Sequence, residues 1–148
     1  MNFPSWSEAY AIGIPLLDQQ HAVMFSAIHS ICEAHDREGA REGLKAPFDF
    51  LKDYTRLHFK TEERLMERLG FPDLQHHRKS HHHLFDEVTR LVFRSQTHGV
   101  VIHTDVLPLL QTWLLGHILE EDRAFAEFYR QVDADGNLDL TGFDPTLL

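Results

Sequence analysis

Histidine and carboxylate side chains recur at helical spacings in three segments of the chain. The pairs are His58 with Glu62, His77 with His81, and His117 with Asp122, and a lone candidate, His21, lies in an earlier segment. Imidazole and carboxylate groups are common metal ligands, and a spacing of four residues places two side chains on one face of a helix. The set therefore predicts a metal centre assembled from four helices.

The last pair differs from the others because His117 and Asp122 are five residues apart. On a regular α-helix this spacing leaves a rotation of roughly 140° between the two side chains. We therefore expect them to flank a point instead of stacking on it. In that arrangement the imidazole binds one metal ion and the carboxylate bridges to its neighbour.

The two carboxylates of this set need partners if they are buried. An isolated carboxylate in an apolar core is strongly destabilising, and no lysine or arginine lies on the inward stripes of these segments to offset it. A single interior histidine is more often a hydrogen-bonded core residue than a ligand. Five histidines and two carboxylates on four facing stripes favour metal ions instead.

The ligand types and their number indicate which metals are bound. Five imidazoles, two bridging carboxylates and one oxygen bridge leave a single open position on a pair of six-coordinate ions. Imidazole with carboxylate and without thiolate suits iron, while zinc, manganese and copper are compatible by ligand type. The remaining histidines are expected at the surface or the edge of the fold: His29, His35, His76, His82, His83, His98 and His103.

Apolar residues recur in steps of three and four along four segments, which is typical of helices packed around a shared core. The predicted helices cover residues 16–38, 44–70, 74–97 and 105–131. Short connections between long helices favour antiparallel neighbours, so we predict an all-α, up-down-up-down four-helix bundle. No segment of the sequence shows a strand period.

Proline, glycine and capping residues set the expected helix limits. Pro47 is expected in the first turn of the second helix, where a missing N–H is tolerated. Gly70 should end that helix, and Thr104 or Asp105 should cap the start of the fourth.

The bulk composition is that of one globular domain. Of the 148 residues, 43% are hydrophobic and 25% are charged, which does not fit a disordered chain. The formal net charge of −9 argues against nucleic acid and anionic membranes as partners. With one cysteine, no export signal and no membrane span, we expect a cytoplasmic protein. Residues 1–132 are assigned to the domain and 133–148 to a polar, solvated tail.

Four strings in the sequence resemble the hemerythrin family, specifically its single-domain bacterial members. They are LDQQH ending at His21, HFKTEERLM beginning at His58, FPDLQHHRKSH ending at His81, and WLLGHILEED ending at Asp122. Trp6 and Gly13 also fit the N-terminal pattern of the family. The resemblance covers residues 6–130, and the ligand motif is complete.

The resemblance implies a non-haem centre of two oxo- or hydroxo-bridged iron ions that binds dioxygen reversibly, as in an oxygen carrier, store or delivery protein. By analogy three histidines hold one iron, two hold the other, and two carboxylates bridge the pair. In that order these are His77, His81 and His117; His21 and His58; and Glu62 and Asp122. An apolar pocket over the open position should be lined by residues close to the ligands: Met24, Phe59, Trp113, Leu114, Ile118 and Phe125.

Other functions remain open at this stage. They are an oxygen- or redox-sensing module, a di-iron oxidase or nitrosative-damage repair protein, and a structural zinc bundle. Ferritin-like oxidases carry a Glu-x-x-His pair on each of two helices, and no glutamate here has a histidine three residues later. No signalling domain is recognisable, so we expect a free-standing, monomeric binding protein and not an enzyme.

Overall fold

The computed structural model describes residues 3–38, 41–97 and 102–143. Within these ranges every regular element is a helix, which confirms the predicted all-α, four-helix fold. None of the described helices is long and apolar enough to cross a membrane.

Three regular α-helices precede a fourth, less regular one. They are α1, Pro15–Glu38; α2, Arg41–Leu69; and α3, Leu74–Thr97. The fourth helix covers residues 102–132. α1 packs against α2, α2 packs against α3, and the C-terminal part of the fourth helix contacts α2. Apolar side chains at steps of three and four from each helix fill the space between them, as Met24, Ile28 and Ile31 do on α1.

The second helix begins at Arg41, earlier than the predicted residue 44, so Pro47 lies inside it and not in its first turn. The proline removes one backbone hydrogen bond, and the turns on either side continue the helix. The predicted end is confirmed. Gly70 has a φ of +72°, and the Phe71 N–H donates to the Met66 carbonyl at 3.0 Å, so the chain leaves α2 through a left-handed glycine.

The fourth helix alternates between π-helical and α-helical geometry. Its π-turns are Ile102–Val106, Gln111–Leu115 and Ile118–Asp122. The prediction of an N-cap at Thr104 or Asp105 is wrong, because both residues lie inside the first π-turn. Pro108 follows that turn, where its missing N–H coincides with a break in the α-helical hydrogen bonds. A π-turn holds one residue more than an α-turn, so each one shifts the face presented by the side chains that follow.

An aromatic N-terminal arm packs on the side of α1. The rings of Phe3, Trp6 and Tyr10 surround Phe25, with centroid distances of 5.1, 5.4 and 5.1 Å. Edge-to-face and tilted contacts of this kind are the preferred geometry for aromatic pairs. The arm therefore belongs to the core of the domain.

A carboxylate fixes the turn between this arm and α1. Asp18, in the first turn of α1, accepts hydrogen bonds from the backbone N–H groups of Ile12 (2.8 Å) and Gly13 (3.1 Å). Gly13 has a φ of +90°, a conformation that other residues rarely adopt. The turn therefore depends on a glycine for its shape and on an aspartate for its hydrogen bonds.

The C-terminal segment 133–143 lies against the bundle instead of extending into solvent. Arg68 of α2 donates to the backbone carbonyl of Thr141 at 2.7 Å, and the ring of Phe143 is partly buried against the core. An apolar ring and a guanidinium therefore anchor the described part of the tail, while most of its side chains are exposed to solvent. Residues 144–148 lie outside the described residues.

Replacing Asp18 with alanine should lower the free energy of unfolding by about 1–2 kcal/mol, because two backbone N–H groups lose a charged acceptor. Chemical denaturation followed by circular dichroism, at constant metal content, measures this loss. The matched control is Asp53→Ala on α2. The Asp53 side chain is 67% exposed and lies 3.7 Å from Arg56, so the change should stay within about 0.5 kcal/mol. Equal losses in the two variants would contradict the role given to Asp18.

Candidate metal centre

The seven predicted ligands converge in the middle of the bundle. They are His21 from α1, His58 and Glu62 from α2, His77 and His81 from α3, and His117 and Asp122 from the fourth helix. All seven are buried, with exposed fractions of at most 5%. The four-residue spacings on α2 and α3 place each pair on the inner face of its helix, as expected.

The ligand atoms form two overlapping groups, each with all its atoms within 4.8 Å of one another. The first, here called the three-histidine position, contains His77, His81, His117, Glu62 and Asp122. The second, the two-histidine position, contains His21, His58 and the same two carboxylates. Because the carboxylates belong to both groups, they lie between two places at which a cation can bind.

Each carboxylate presents one oxygen to each position. His77 Nε2 lies 2.6 Å from Glu62 Oε1 and 3.1 Å from Asp122 Oδ1. On the other side, His58 Nε2 lies 3.5 Å from Glu62 Oε2, and His21 Nε2 lies 3.1 Å from Asp122 Oδ2. This division of oxygens is what a pair of bridging carboxylates requires.

The π-turn Ile118–Asp122 brings His117 and Asp122 to the same point. His117 Nε2 lies 3.0 Å from Asp122 Oδ1, although the residues are five apart in sequence. The expectation that they flank a point is therefore wrong, because it assumed a regular α-helix. The wider turn stacks the two side chains. The carboxylate still contacts both metal positions.

Burial and contact with charged neighbours have opposite effects on the pKa values of these side chains. Burial disfavours the charged form, and an oppositely charged neighbour favours it. Desolvation lowers the pKa of His58 to about 3, so this imidazole is neutral. Burial also opposes charge on His77 and His117, but contacts with the two carboxylates outweigh it and raise their pKa values to about 9 and about 10. Burial would likewise raise the pKa of Glu62, yet hydrogen bonds from His77 and His81 hold it well below its usual range.

Several buried polar atoms of the centre have no hydrogen-bond partner. They are Glu62 Oε2, both carboxylate oxygens of Asp122, both ring nitrogens of His21, and His117 Nδ1 with the neighbouring Glu121 Oε2, whose 3.5 Å separation is an ion-pair contact and not a hydrogen bond. Buried polar atoms in native proteins are almost always satisfied, so unpartnered atoms at one place require an explanation. Cations at the two positions would satisfy those that face the centre. The donor set of imidazole and carboxylate, without thiolate, fits iron.

Three side chains that were not predicted from the sequence contact the outward-facing Nδ1 atoms of the histidines. They are Gln20, with Oε1 2.7 Å from His58 Nδ1; Glu63, with Oε2 2.9 Å from His81 Nδ1; and Glu121, with Oε2 3.5 Å from His117 Nδ1. Each of the three is the sequence neighbour of a predicted ligand, but this adjacency is a weak signal because the helical period assigns such positions to the solvated side. Such partners orient imidazole ligands and adjust their basicity.

Four of the six predicted pocket residues line one small cavity beside the centre, of about 20 Å³: Met24, Phe59, Trp113 and Leu114. Trp113 is also 38% exposed, and its ring contacts His83 at the surface with a centroid distance of 4.5 Å. Ile118 and Phe125 are buried but do not line this cavity. Phe125 packs against Phe71 instead, at 5.1 Å.

The other histidines whose side chains are described belong to neither group of ligand atoms. They are the partly buried His29 and His35 and the exposed His76, His82 and His83. The predictions for His98 and His103 concern side chains outside the described residues.

Comparison with known proteins places this centre in a family. Residues 12–129 match the family model described as hemerythrin HHE cation binding domain. The chain is 31% identical over 122 residues to a bacteriohemerythrin of Stenotrophomonas maltophilia, covering 82% of this chain and 78% of the relative. It is 29% identical over 127 residues to a bacteriohemerythrin of Pseudomonas aeruginosa, covering 84% and 80%. A Methylococcus capsulatus bacteriohemerythrin is 26% identical over 128 residues, covering 84% and 95%. The chain therefore belongs to the hemerythrin family.

Proposed function

We propose that the protein binds dioxygen reversibly at a non-haem di-iron centre, as an oxygen carrier, store or delivery protein and without catalytic turnover. One observation carries the proposal. Two buried carboxylates are shared between a three-histidine and a two-histidine position, so the two sides differ by one ligand. The bacteriohemerythrin names of the relatives support the same function.

The unequal ligand numbers decide where dioxygen would bind. His77, His81 and His117 would hold one iron and His21 and His58 the other, and the second iron would have one protein ligand fewer and so a place for dioxygen. Glu62 and Asp122 would be shared between the two ions, because each directs one oxygen to each side. An iron pair supplies the electrons that reversible dioxygen binding requires.

The protein's own contribution is a small, mostly apolar cavity close to the centre, with no ligand in its lining. The cavity that Met24, Phe59 and Leu114 help to line has room for about one water-sized molecule. Phe59 also stacks on the imidazole of His81, with centroids 3.9 Å apart and planes 6° apart, and so fixes that ligand. An apolar wall excludes water and proton donors, which would otherwise promote irreversible oxidation of the metal.

The proposal describes a monomeric protein of the cytoplasm. Cys32 is a free thiol, which suits a reducing compartment. The net charge of −9 disfavours nucleic acid and anionic lipid as partners.

Optical spectra of the reduced protein test the proposed function directly. The anaerobic ferrous protein should gain a visible charge-transfer band when air is admitted, and the band should vanish when oxygen is removed. Repeated cycles should reproduce both spectra. A colour that appears and persists would indicate oxidation and favour a redox or catalytic role. A colourless protein that contains zinc by elemental analysis would rule out the di-iron proposal.

The variant His58→Ala should lose both the oxygen band and part of the iron, because the two-histidine position keeps a single imidazole. Iron per chain, measured by elemental analysis, should fall below two. The control is His82→Ala on α3, whose side chain is 81% exposed and should affect neither quantity. A His58→Ala protein with two irons and a reversible band would contradict the ligand assignment.

Removing the metal should lower the melting temperature, and the loss should grow as the pH rises. In the metal-free centre the protonated His77 and His117 replace the metal as partners of the carboxylates. Their pKa values of about 9 and about 10 exceed the ordinary value of 6.5. Their stabilising contribution is therefore complete below pH 6.5 and disappears as the pH rises through 9 and 10.

Differential scanning calorimetry of loaded and metal-free protein at a low and a high pH measures this effect. The gap in melting temperature should be wider near pH 9 than near pH 6, since metal binding also competes with fewer protons at high pH. Identical melting temperatures of the two forms at both pH values would count against a buried metal centre.

A further inference from the structure

The groups behind the imidazoles of the three-histidine position are negatively charged. The Glu63 carboxylate accepts a hydrogen bond from His81 Nδ1 at 2.9 Å, and the Glu121 carboxylate lies 3.5 Å from His117 Nδ1. The Glu63 side chain is 13% exposed and that of Glu121 33% exposed, so solvent screens these contacts only in part. Two of the three imidazoles at this position therefore have an anionic neighbour.

Arg78 holds Glu63 in this orientation. Its Nε lies 3.3 Å from Glu63 Oε1, while the other carboxylate oxygen of Glu63 accepts the hydrogen bond from His81. The guanidinium partly offsets the negative charge. However, the Arg78 side chain is 36% exposed, whereas the contact between Glu63 and His81 is direct and mostly buried. The carboxylate therefore acts more strongly on the imidazole than the arginine does.

The group behind the two-histidine position is neutral. Gln20 is buried, and its Oε1 lies 2.7 Å from His58 Nδ1. Its amide nitrogen donates to the hydroxyl of Thr61 at 3.4 Å, and that hydroxyl donates to the Leu57 carbonyl at 3.0 Å, so the amide oxygen faces the imidazole. The Nδ1 atom of His21 has no hydrogen-bond partner. Among the residues that the structure describes, no carboxylate forms a hydrogen bond or ion pair with the Nδ1 atoms of His21 and His58.

We propose that the charges of Glu63 and Glu121 increase the affinity and electron density of the three-histidine position beyond what its extra ligand supplies, and that the Gln20 amide gives the two-histidine position no such increase. A carboxylate that accepts from Nδ1–H raises the basicity of the imidazole and strengthens its bond to the metal, whereas a neutral amide does so less. These are positioning residues, because they act through the ligands. The inference rests on the proposed metal centre and adds a second source of inequality to the difference in ligand number.

Anaerobic titration of the metal-free protein with Co²⁺ alone tests the proposal. Calorimetry and visible absorption monitor the binding of each ion. The wild-type protein should bind two ions in two steps of different affinity. Glu63→Gln keeps an acceptor for His81 but removes the charge, so it should weaken the tighter step by about 10–100-fold and leave the other unchanged. Gln20→Glu makes the reverse change and should strengthen the weaker step alone.

The matched control is Glu67→Gln. The Glu67 side chain is 68% exposed and lies 3.6 Å from the same Arg78, but none of its described contacts involves a ligand, so neither step should change. In a His58→Ala background, which disables the two-histidine position, Glu63→Gln should weaken the remaining step by the same factor. That result would assign the tighter step to the three-histidine position.

Equal weakening of both steps by Glu63→Gln would indicate general loosening and would overturn the proposal, as would no weakening at all. Melting curves of the metal-free variants identify any that fail to fold. If Glu63→Gln fails to fold, Gln20→Glu tests the proposal in its place. An unchanged affinity of the weaker step in Gln20→Glu would overturn the proposal. The titration needs no oxygen, so a failure of reversible oxygen binding leaves it valid. A protein that binds no cobalt would refute the metal centre itself.

Discussion

Two carboxylates buried among five imidazoles are the constraint on which the rest of this structure depends. Glu62 and Asp122 have no exposed surface, and an uncompensated charge at such a depth would be strongly destabilising. Positive charge must therefore lie next to them, supplied by metal ions or, on the three-histidine side, by protonated His77 and His117. The helices are held at one register because each must bring its ligand to the same level.

The polar centre is stable only because the remaining interior is apolar and closely packed. Met24, Leu65 and Phe125 are fully buried near the ligands. The N-terminal arm also contributes, since Trp6 packs on Phe25 and lies 6.3 Å from the ring of His21. The arm is thus part of the wall of the metal centre as well as of the hydrophobic core.

Residue type and helical period were sufficient to predict the four helices and the seven side chains that converge. For His58 with Glu62 and for His77 with His81 the reason is direct, because a spacing of four reports on one α-helical face. The Nδ1 partners were missed for a different reason. Glu63 and Glu121 stand next to buried ligands, where a sequence pattern predicts a solvated face. Only the packing of neighbouring helices turns them inward. The docking of the tail by Arg68 depends on a contact between residues 73 positions apart, which no local pattern contains.

The relation between His117 and Asp122 was predicted wrongly because a π-turn leaves no mark in the apolar period of the fourth helix. The five-residue spacing of the pair reflects the extra residue that a π-turn holds. A regular α-helix would need a spacing of four to place the same two groups together. The π-turn therefore differs from an α-helical turn by one inserted residue, and no substitution at a single position converts one into the other. A designed bundle of straight α-helices cannot copy this sequence motif letter by letter. It would have to delete one residue between the histidine and the aspartate to keep the same chemistry.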